Sequence, residues 1–120
     1  MDERIVSWMR KQMENEIMTV TEVIKKTVDC EKIYLFGSHA YGEPHKNSDL
    51  DFYVVIPDDA DRLIEVMQKI HITLGRIKEL SPIDVIATRS SRFADMSNLP
   101  TMERKIVKEG VLLYERDRLS

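Results

Sequence analysis

Three aspartates carry most of the chemistry that the sequence suggests. Asp49 and Asp51 flank Leu50 at the start of an apolar run that continues to Ile56. Because side chains alternate along a strand, the two carboxylates would face the same side, about 6 to 7 Å apart. Two carboxylates this close repel, and without a cation one of them would have a raised pKa. The pair therefore suggests a site for hard, oxygen-seeking metal ions such as Mg2+.

A third aspartate interrupts another short apolar segment. Asp84 lies in the run from Ser81 to Thr88, whose β-branched residues favour a strand. A lone aspartate there would be costly to bury. Asp49 and Asp51 alone could equally be a turn and a solvated strand start. With Asp84 beside them they would form a three-carboxylate cage for two metal ions, the arrangement used for in-line displacement at phosphorus.

A glycine-serine pair precedes the aspartates. The apolar run from Ile33 to Phe36 is typical of a buried strand, and Gly37-Ser38 ends it where a backbone could approach a ligand closely. If Ser38 opens a short helix through Gly42, its hydroxyl and the free N–H groups of the first turn would favour a phosphate. Most such pairs are plain turns, so the interpretation depends on the aspartates that follow.

Two basic side chains lie close to this turn in the sequence. His39 and Lys46 belong to the segment that connects Gly37-Ser38 to Asp49. Either one could touch phosphates. Either one could equally be a solvated loop residue.

The spacing of these residues resembles that of a known enzyme family. Gly37-Ser38, ten intervening residues, then Asp49-Leu50-Asp51, with Asp84 on a later strand, is similar to the motif of the minimal nucleotidyltransferases of the DNA polymerase beta superfamily. The resemblance covers nearly the whole chain. It implies an α/β (α+β) fold in which a small mixed sheet packs with helices. The family often carries arginine where this chain has His39, and sometimes another where it has Tyr41.

The resemblance also implies an activity and a set of roles. The reaction would move AMP from ATP to a hydroxyl with two Mg2+ ions, and Asp49 and Asp51 would bridge both metals. Asp84 would bind the second metal and act as general base. Gly37, Ser38, His39 and Lys46 would contact the nucleotide.

Three hypotheses remain open for the molecule that would receive the AMP. Family members of about this size are commonly encoded beside a helical HEPN ribonuclease toxin, and they resemble antitoxins that place AMP on a tyrosine of that toxin. This is the leading hypothesis. The second is a free-standing transferase acting on a small molecule, like the aminoglycoside nucleotidyltransferases. The third is a catalytically silent module that neutralises a toxin by binding alone.

Length and composition narrow the class of protein. The 120 residues suit a single nucleotidyltransferase domain over residues 1–120, with 42% hydrophobic and 32% charged residues. No apolar run approaches the ~20 residues needed to span a bilayer, and the start shows no signal-peptide pattern, so a cytoplasmic protein is expected. One cysteine, Cys30, favours a reducing compartment. The net charge of −3 makes a nucleic-acid partner unlikely.

The elements around the aspartates follow from periodicity. Ile5 to Val28 predicts one helix, or two with a break between Asn15 and Thr21. Leu63 to Ile77 predicts a packing helix, and the aspartates at 58, 59 and 61 should cap its start. A helix between two strands is the usual crossover, so the strands of Asp51 and Asp84 should be parallel. The first strand must run antiparallel to them to bring Gly37-Ser38 to the same end, which predicts a mixed sheet.

The last third of the chain is expected to be mainly helical. Residues 89–98 are polar and predict a loop or short helix, in which Arg89 and Arg92 are either solvated or contact a nucleotide or partner. A final helix should begin at 98–100 and end with Gly110 in the C′ position. Val111 to Tyr114 predicts a short strand or an extended tail.

Overall fold

The order of helices and strands follows the sequence pattern closely. The structure is a computed structural model that describes residues 3–41, 49–78 and 80–117. Within those residues, no helix is both long and apolar enough to cross a membrane. The elements are α1 Glu3–Thr27, β1 Lys32–Phe36, α2 Ser38–Tyr41, β2 Leu50–Ile56, α3 Leu63–Gly75, β3 Ile83–Arg89, α4 Ser90–Ser97, α5 Met102–Glu109 and β4 Val111–Glu115.

The strands form a mixed sheet in the order β3-β2-β1-β4. β2 and β3 are parallel, with Asp51 opposite Asp84. β1 runs antiparallel to β2, so Phe36 at its end lies opposite Asp51. β4 pairs antiparallel with β1. The predicted mixed sheet is confirmed, and the end of β1 meets the starts of β2 and β3 as expected.

Both faces of β2 are covered by helices, although in different places. One face carries apolar residues that are completely buried against α1 and α3. On the other face, Tyr53 and Val55 pack with Phe93 of α4 and Ile106 of α5. The Asp51 side chain belongs to this second face, at the end of the strand. The completely buried set of the first face is Leu50, Phe52, Val54 and Ile56, packed with Val20, Ile24 and Ile70.

The first helix is continuous, so the possible break near its middle does not occur. Val20 and Ile24, in its second half, are fully buried in the core. Thr21 and Thr27 donate their hydroxyl hydrogens to the carbonyls of Ile17 and Val23, at 2.7 and 2.6 Å. These bonds satisfy the polar β-branched side chains without interrupting the helix.

The aspartates after β2 do not cap α3, and that prediction was wrong. The N-cap of α3 is Arg62, with no side-chain capping bond. Asp58 instead accepts a hydrogen bond of 2.9 Å from the backbone N–H of Ser91, at the start of α4. Asp61 forms an ion pair of 3.4 Å with Lys69 on α3. The prediction chose α3 because it is the next helix in the sequence. In the fold, Asp58 bonds to the start of α4 instead.

Arg89 ties the same turn to the end of β3. Its guanidinium donates to the backbone carbonyls of Asp58 and Ala60 at 3.0 and 3.1 Å, and to that of Asp61 at 3.3 Å. The half-buried Arg89 is therefore bonded to the turn after β2 and not aimed at a nucleotide. The planar fork of arginine suits this task because it presents several donors in fixed directions.

The last helix starts later than expected and ends at a glycine in a different conformation. α5 begins at Met102, after Thr101, whose hydroxyl accepts from the Arg104 N–H at 3.3 Å. Gly110 ends the helix as its C-cap and not as the C′ residue predicted, and its backbone is extended, with φ −69° and ψ 168°. A Cβ there would lie 2.5 Å from the Ile106 carbonyl oxygen and 3.1 Å from that of Leu35. Gly110 is thus needed for close packing of backbone on backbone.

Candidate active site

Two of the three predicted aspartates lie side by side at one end of the sheet. Asp51 and Asp84 are register partners on neighbouring parallel strands. Such strands are about 4.8 Å apart, and paired side chains in them point to the same face. Asp49 lies immediately before β2, two residues from Asp51. The predicted meeting of the two carboxylate-bearing segments is confirmed.

The glycine-serine turn touches this carboxylate group directly. Gly37 has a φ of 75°, a left-handed backbone conformation that residues other than glycine rarely adopt. A Cβ on Gly37 would collide with Oδ2 of Asp51, so the carboxylate lies against the turn backbone. The sequence predicted a close approach of a ligand to this glycine. In the structure, the group that approaches is the protein's own Asp51.

The electrostatics of the site centre on Asp51. Burial raises the pKa of its carboxyl, and the charges of Asp84 and then Asp49 raise that pKa further. His39 acts in the opposite direction and lowers it. The expected repulsion between the carboxylates is therefore present, and a nearby cation would relieve it.

The carboxylate oxygens of this site are suitable ligands for hard divalent cations. Carboxylate oxygens are the ligands that Mg2+ prefers, and Mg2+ is commonly held by one or two of them together with substrate phosphates. Asp49 and Asp84 are exposed, while Asp51 is half-buried. Across residues 3–41, 49–78 and 80–117, no three acidic, histidine or cysteine side chains converge on one point as they stand. Metal binding by Asp49, Asp51 and Asp84 stays a prediction.

The short helix α2 starts at the predicted place. The N–H groups of Ala40 and Tyr41 donate to the Gly37 carbonyl at 3.0 and 2.9 Å, which forms the turn. Ser38 and His39, in its first turn, are half-buried. Their contact with phosphate, like that of Gly37, stays a prediction. Lys46 lies outside the described residues.

Sequence reasoning gave no role to two side chains beside the turn, Tyr41 and Lys105. Burial, then the charge of Glu109, raises the pKa of Tyr41, and Asp51 raises it further against an opposing effect of the Gly37 backbone. The ammonium of Lys105, on α5, lies 4.6 Å from the centre of the Tyr41 ring. Tyr41 is therefore a neighbour of the carboxylates. No spacing in the sequence links α5 to this turn, because the sheet brings the two together.

The chain belongs to the polymerase beta nucleotidyltransferase family. Residues 18–119 match the family described as "Polymerase beta, Nucleotidyltransferase". That match confirms the resemblance drawn from the motif, and it places the chain in a class of nucleotide-transferring enzymes. The mixed four-stranded sheet packed with helices agrees with this membership.

One curated relative is named for a specific activity. The protein adenylyltransferase MntA of Shewanella oneidensis is 38% identical over 61 residues. The aligned part covers 49% of this chain and 40% of that protein. The chain thus spans less than half the length of the curated relative that it matches.

Solved structures share the fold over most of the chain. A Sulfolobus solfataricus protein assigned as a nucleotidyltransferase has a TM-score of 0.61 at 21% identity, covering 89% of this chain and 84% of its own. A toxin–antitoxin structure with AMP-PNP has a TM-score of 0.53 at 27% identity, covering 88% and 75%. A mutant MntA–HpeT toxin–antitoxin structure has a TM-score of 0.52 at 23% identity, covering 83% and 73%.

Proposed function

We propose that this chain is a protein adenylyltransferase that moves AMP from ATP to a tyrosine of a partner toxin of the HEPN type. Family membership supports the transfer of a nucleotide. The name of the Shewanella relative supports AMP transfer to a protein, and the structure with AMP-PNP supports an adenine nucleotide as donor. The toxin–antitoxin neighbours support a toxin as the acceptor.

The observation that carries the proposal is the register of Asp51 with Asp84. It sets two carboxylates on one face of the sheet, with Asp49 just before them and the Gly37 turn against Asp51. We assign two Mg2+ ions to these three aspartates. When bound, such ions neutralise phosphate charge and favour in-line displacement at phosphorus.

The residues of the Gly37-Ser38 turn would hold ATP, the donor of AMP. The N–H groups at the start of α2 and the Ser38 hydroxyl favour an anion at the positive end of a helix. The charge of His39 lowers the pKa of Asp51, and His39 follows Ser38 directly in the turn, which supports its imidazole as a contact for phosphate. We include Lys46 with Gly37, Ser38 and His39 as a nucleotide contact.

Asp84 would take the proton in the transfer. Its carboxylate is exposed on β3, at the end of the strand order, where an incoming hydroxyl has access. The tyrosine oxygen forms a bond to the α-phosphorus of ATP while the bond to the bridging oxygen breaks. Pyrophosphate leaves, and the hydroxyl proton passes to Asp84.

Exposure of the site favours a macromolecular acceptor. Asp49 and Asp84 are exposed and only Asp51 is half-buried, so the carboxylates lie on an open surface. Small-molecule sites usually bury most of their ligand in a cleft. An open site suits an acceptor side chain that arrives on the surface of another protein.

The test is AMP transfer to a candidate HEPN toxin purified with the chain. The mixture receives Mg2+ with labelled ATP, GTP, CTP or UTP, and mass spectrometry looks for one added nucleotide on either protein. We expect adenylylation of a toxin tyrosine that disappears with a chelator and in Asp51→Asn and Asp84→Asn variants. Asp59→Asn, which changes an exposed aspartate away from the site, is the matched control.

Two other outcomes would favour the alternative hypotheses. A tight complex that neutralises the toxin without any label, and that survives Asp51→Asn, would support a binding module. Transfer of AMP to an aminoglycoside, with no label on protein, would support a small-molecule transferase. Either result would overturn the adenylyltransferase proposal.

A further inference from the structure

Glu16 connects α1 to the segment that carries Asp84. Its carboxylate accepts two hydrogen bonds from Ser81, one from the backbone N–H at 3.1 Å and one from the hydroxyl at 2.7 Å. Both residues are half-buried. A carboxylate that accepts two bonds from one residue fixes both the position and the orientation of that residue. Ser81 lies just before β3, three residues from Asp84.

The same segment also holds the other carboxylate-bearing strand. The Leu50 N–H donates to the Pro82 carbonyl at 2.9 Å, and it is the first bond between the starts of β2 and β3. Leu50 lies between Asp49 and Asp51 in the chain. A continuous line of bonds thus runs from Glu16 through Ser81-Pro82 to the peptide between the two aspartates.

We propose that Glu16 is a positioning residue, which holds the starts of β2 and β3 in register so that Asp49, Asp51 and Asp84 can bind metal together. This inference rests on the proposed metal-dependent transfer. It concerns a residue that lies just outside the part of the chain matching the family, residues 18–119. The two hydrogen bonds of Glu16 go to Ser81, so we expect it to act on the aspartates through Ser81-Pro82.

Three variants separate the hydrogen bonds of Glu16 from its charge. Glu16→Ala removes both bonds and the charge. Glu16→Gln removes the charge only, because its amide can accept from the Ser81 N–H and donate to the Ser81 hydroxyl oxygen. Ser81→Ala removes one bond. Glu14→Ala, which changes an exposed acid on the same helix, is the matched control.

The first measurement is amide hydrogen exchange in the metal-free protein. We expect the Leu50 amide to exchange about tenfold faster in Glu16→Ala, with a smaller change in Ser81→Ala, because losing hydrogen bonds to a charged carboxylate makes local opening of this segment easier by about that factor. Glu16→Gln and Glu14→Ala should stay near wild type. Equal acceleration at Leu50 and at central core amides such as Val54 would indicate general destabilisation and overturn the proposal.

The second measurement is Mn2+ binding by electron paramagnetic resonance, with a non-hydrolysable ATP analogue present. Affinity should fall by up to about 10-fold in Glu16→Ala, the lower end of the range for residues that bond a metal ligand directly, and stay close to wild type in Glu16→Gln. A fall of the same size in both variants would assign the effect to charge and overturn positioning. Wild-type affinity in Glu16→Ala would overturn it as well.

These measurements are independent of AMP transfer. If wild-type protein binds Mn2+ and the variants behave as expected, but no acceptor is labelled, positioning by Glu16 stands and the proposed function fails. If the wild-type protein transfers AMP to a toxin and the Glu16→Ala variant binds Mn2+ with wild-type affinity, the proposed function stands and the positioning role of Glu16 fails. The two proposals therefore fail separately.

Discussion

The carboxylate of Asp51 lies against Gly37, on a turn whose positive φ only glycine adopts easily. The contact joins the end of β1 to the start of β2, whose pairing sets Phe36 opposite Asp51. The conformation and the close contact both require glycine at the same position. Gly37 therefore places the acidic strand next to the turn that is proposed to hold phosphate.

Substitution of Gly37 should damage both stability and the site. Gly37→Ala would cost about 1 to 2 kcal/mol for the left-handed backbone alone, and the Cβ would also displace Asp51. We expect a lower free energy of unfolding in urea and a large loss of AMP transfer. Gly75→Ala is the control, since a Cβ at this helix end meets no atom within 4 Å. Equal stability of the two variants would contradict this account of Gly37.

Ionised Asp51 should destabilise the metal-free protein. Its pKa is raised in the fold, chiefly by burial and then by Asp84 and Asp49, so the native state binds a proton more tightly than the unfolded chain. The cost is present at neutral pH and is relieved as the pH falls through the folded pKa. Because the carboxyl is partly solvated, Asp51→Asn should stabilise by less than about 1 kcal/mol at pH 7.

Thermal unfolding against pH checks the Asp51 prediction. The gain in melting temperature for Asp51→Asn should be largest near pH 7 and shrink in acid, while AMP transfer is lost. Asp59→Asn, an exposed aspartate of the turn after β2, should show neither effect. Turnover retained in Asp51→Asn would remove Asp51 from the proposed catalytic group.

Arg89 should affect stability and leave nucleotide use unchanged. Its guanidinium holds the carbonyls of the turn after β2, and a lysine cannot reproduce several directed bonds at once. Arg89→Lys should cost about 1.5 to 3 kcal/mol, the range for hydrogen bonds to charged groups. Urea unfolding measures this cost. Arg76→Lys, on the exposed end of α3, should unfold like wild type.

The KM for ATP gives the second half of the Arg89 test. We expect the same KM in wild type and Arg89→Lys at a temperature where both are folded. A raised KM together with unchanged stability would return Arg89 to the role of a nucleotide contact.

Local pattern was enough to predict the sheet and the place of the site. The alternation of Asp49 and Asp51 with Leu50, Phe52, Val54 and Ile56 placed the two aspartates on one face of β2 and the completely buried apolar residues on the other. The run around Asp84 identified its parallel partner. These features depend on the period of a strand and on the direction of a crossover, both of which are local properties.

Contacts between distant segments could not be predicted in the same way. Asp58 accepts a hydrogen bond from the Ser91 N–H of α4 and does not cap α3, because the end of β3 lies beside the turn after β2. A Cβ at Gly110 would collide with the Ile106 carbonyl and would also crowd the Leu35 carbonyl of β1, which is far away in the sequence. The two bonds between Glu16 and Ser81 belong to the same class. Each depends on which elements the fold brings together.

The single cysteine should be inert in the folded protein. Cys30 is only 3% exposed. Burial raises the pKa of its thiol to about 11, against a smaller opposing effect of Lys25. The thiolate is the reactive form, so little of it is present at pH 8. We expect iodoacetamide to modify Cys30 rapidly in urea and very slowly in native protein.

The same pKa shift predicts a loss of stability in alkali. The folded thiol keeps its proton from the ordinary value of 9.0 up to about 11, whereas the unfolded thiol loses it. Stability from the protonated thiol is therefore complete below pH 9 and declines as the pH rises through about 11. Cys30→Ala lacks this dependence, so its unfolding free energy should fall less steeply across that window than that of wild type. Parallel curves of unfolding free energy against pH for the two proteins would show that the pKa of Cys30 is not raised. Rapid alkylation of the native protein at pH 8 would show that the thiol is accessible and reactive.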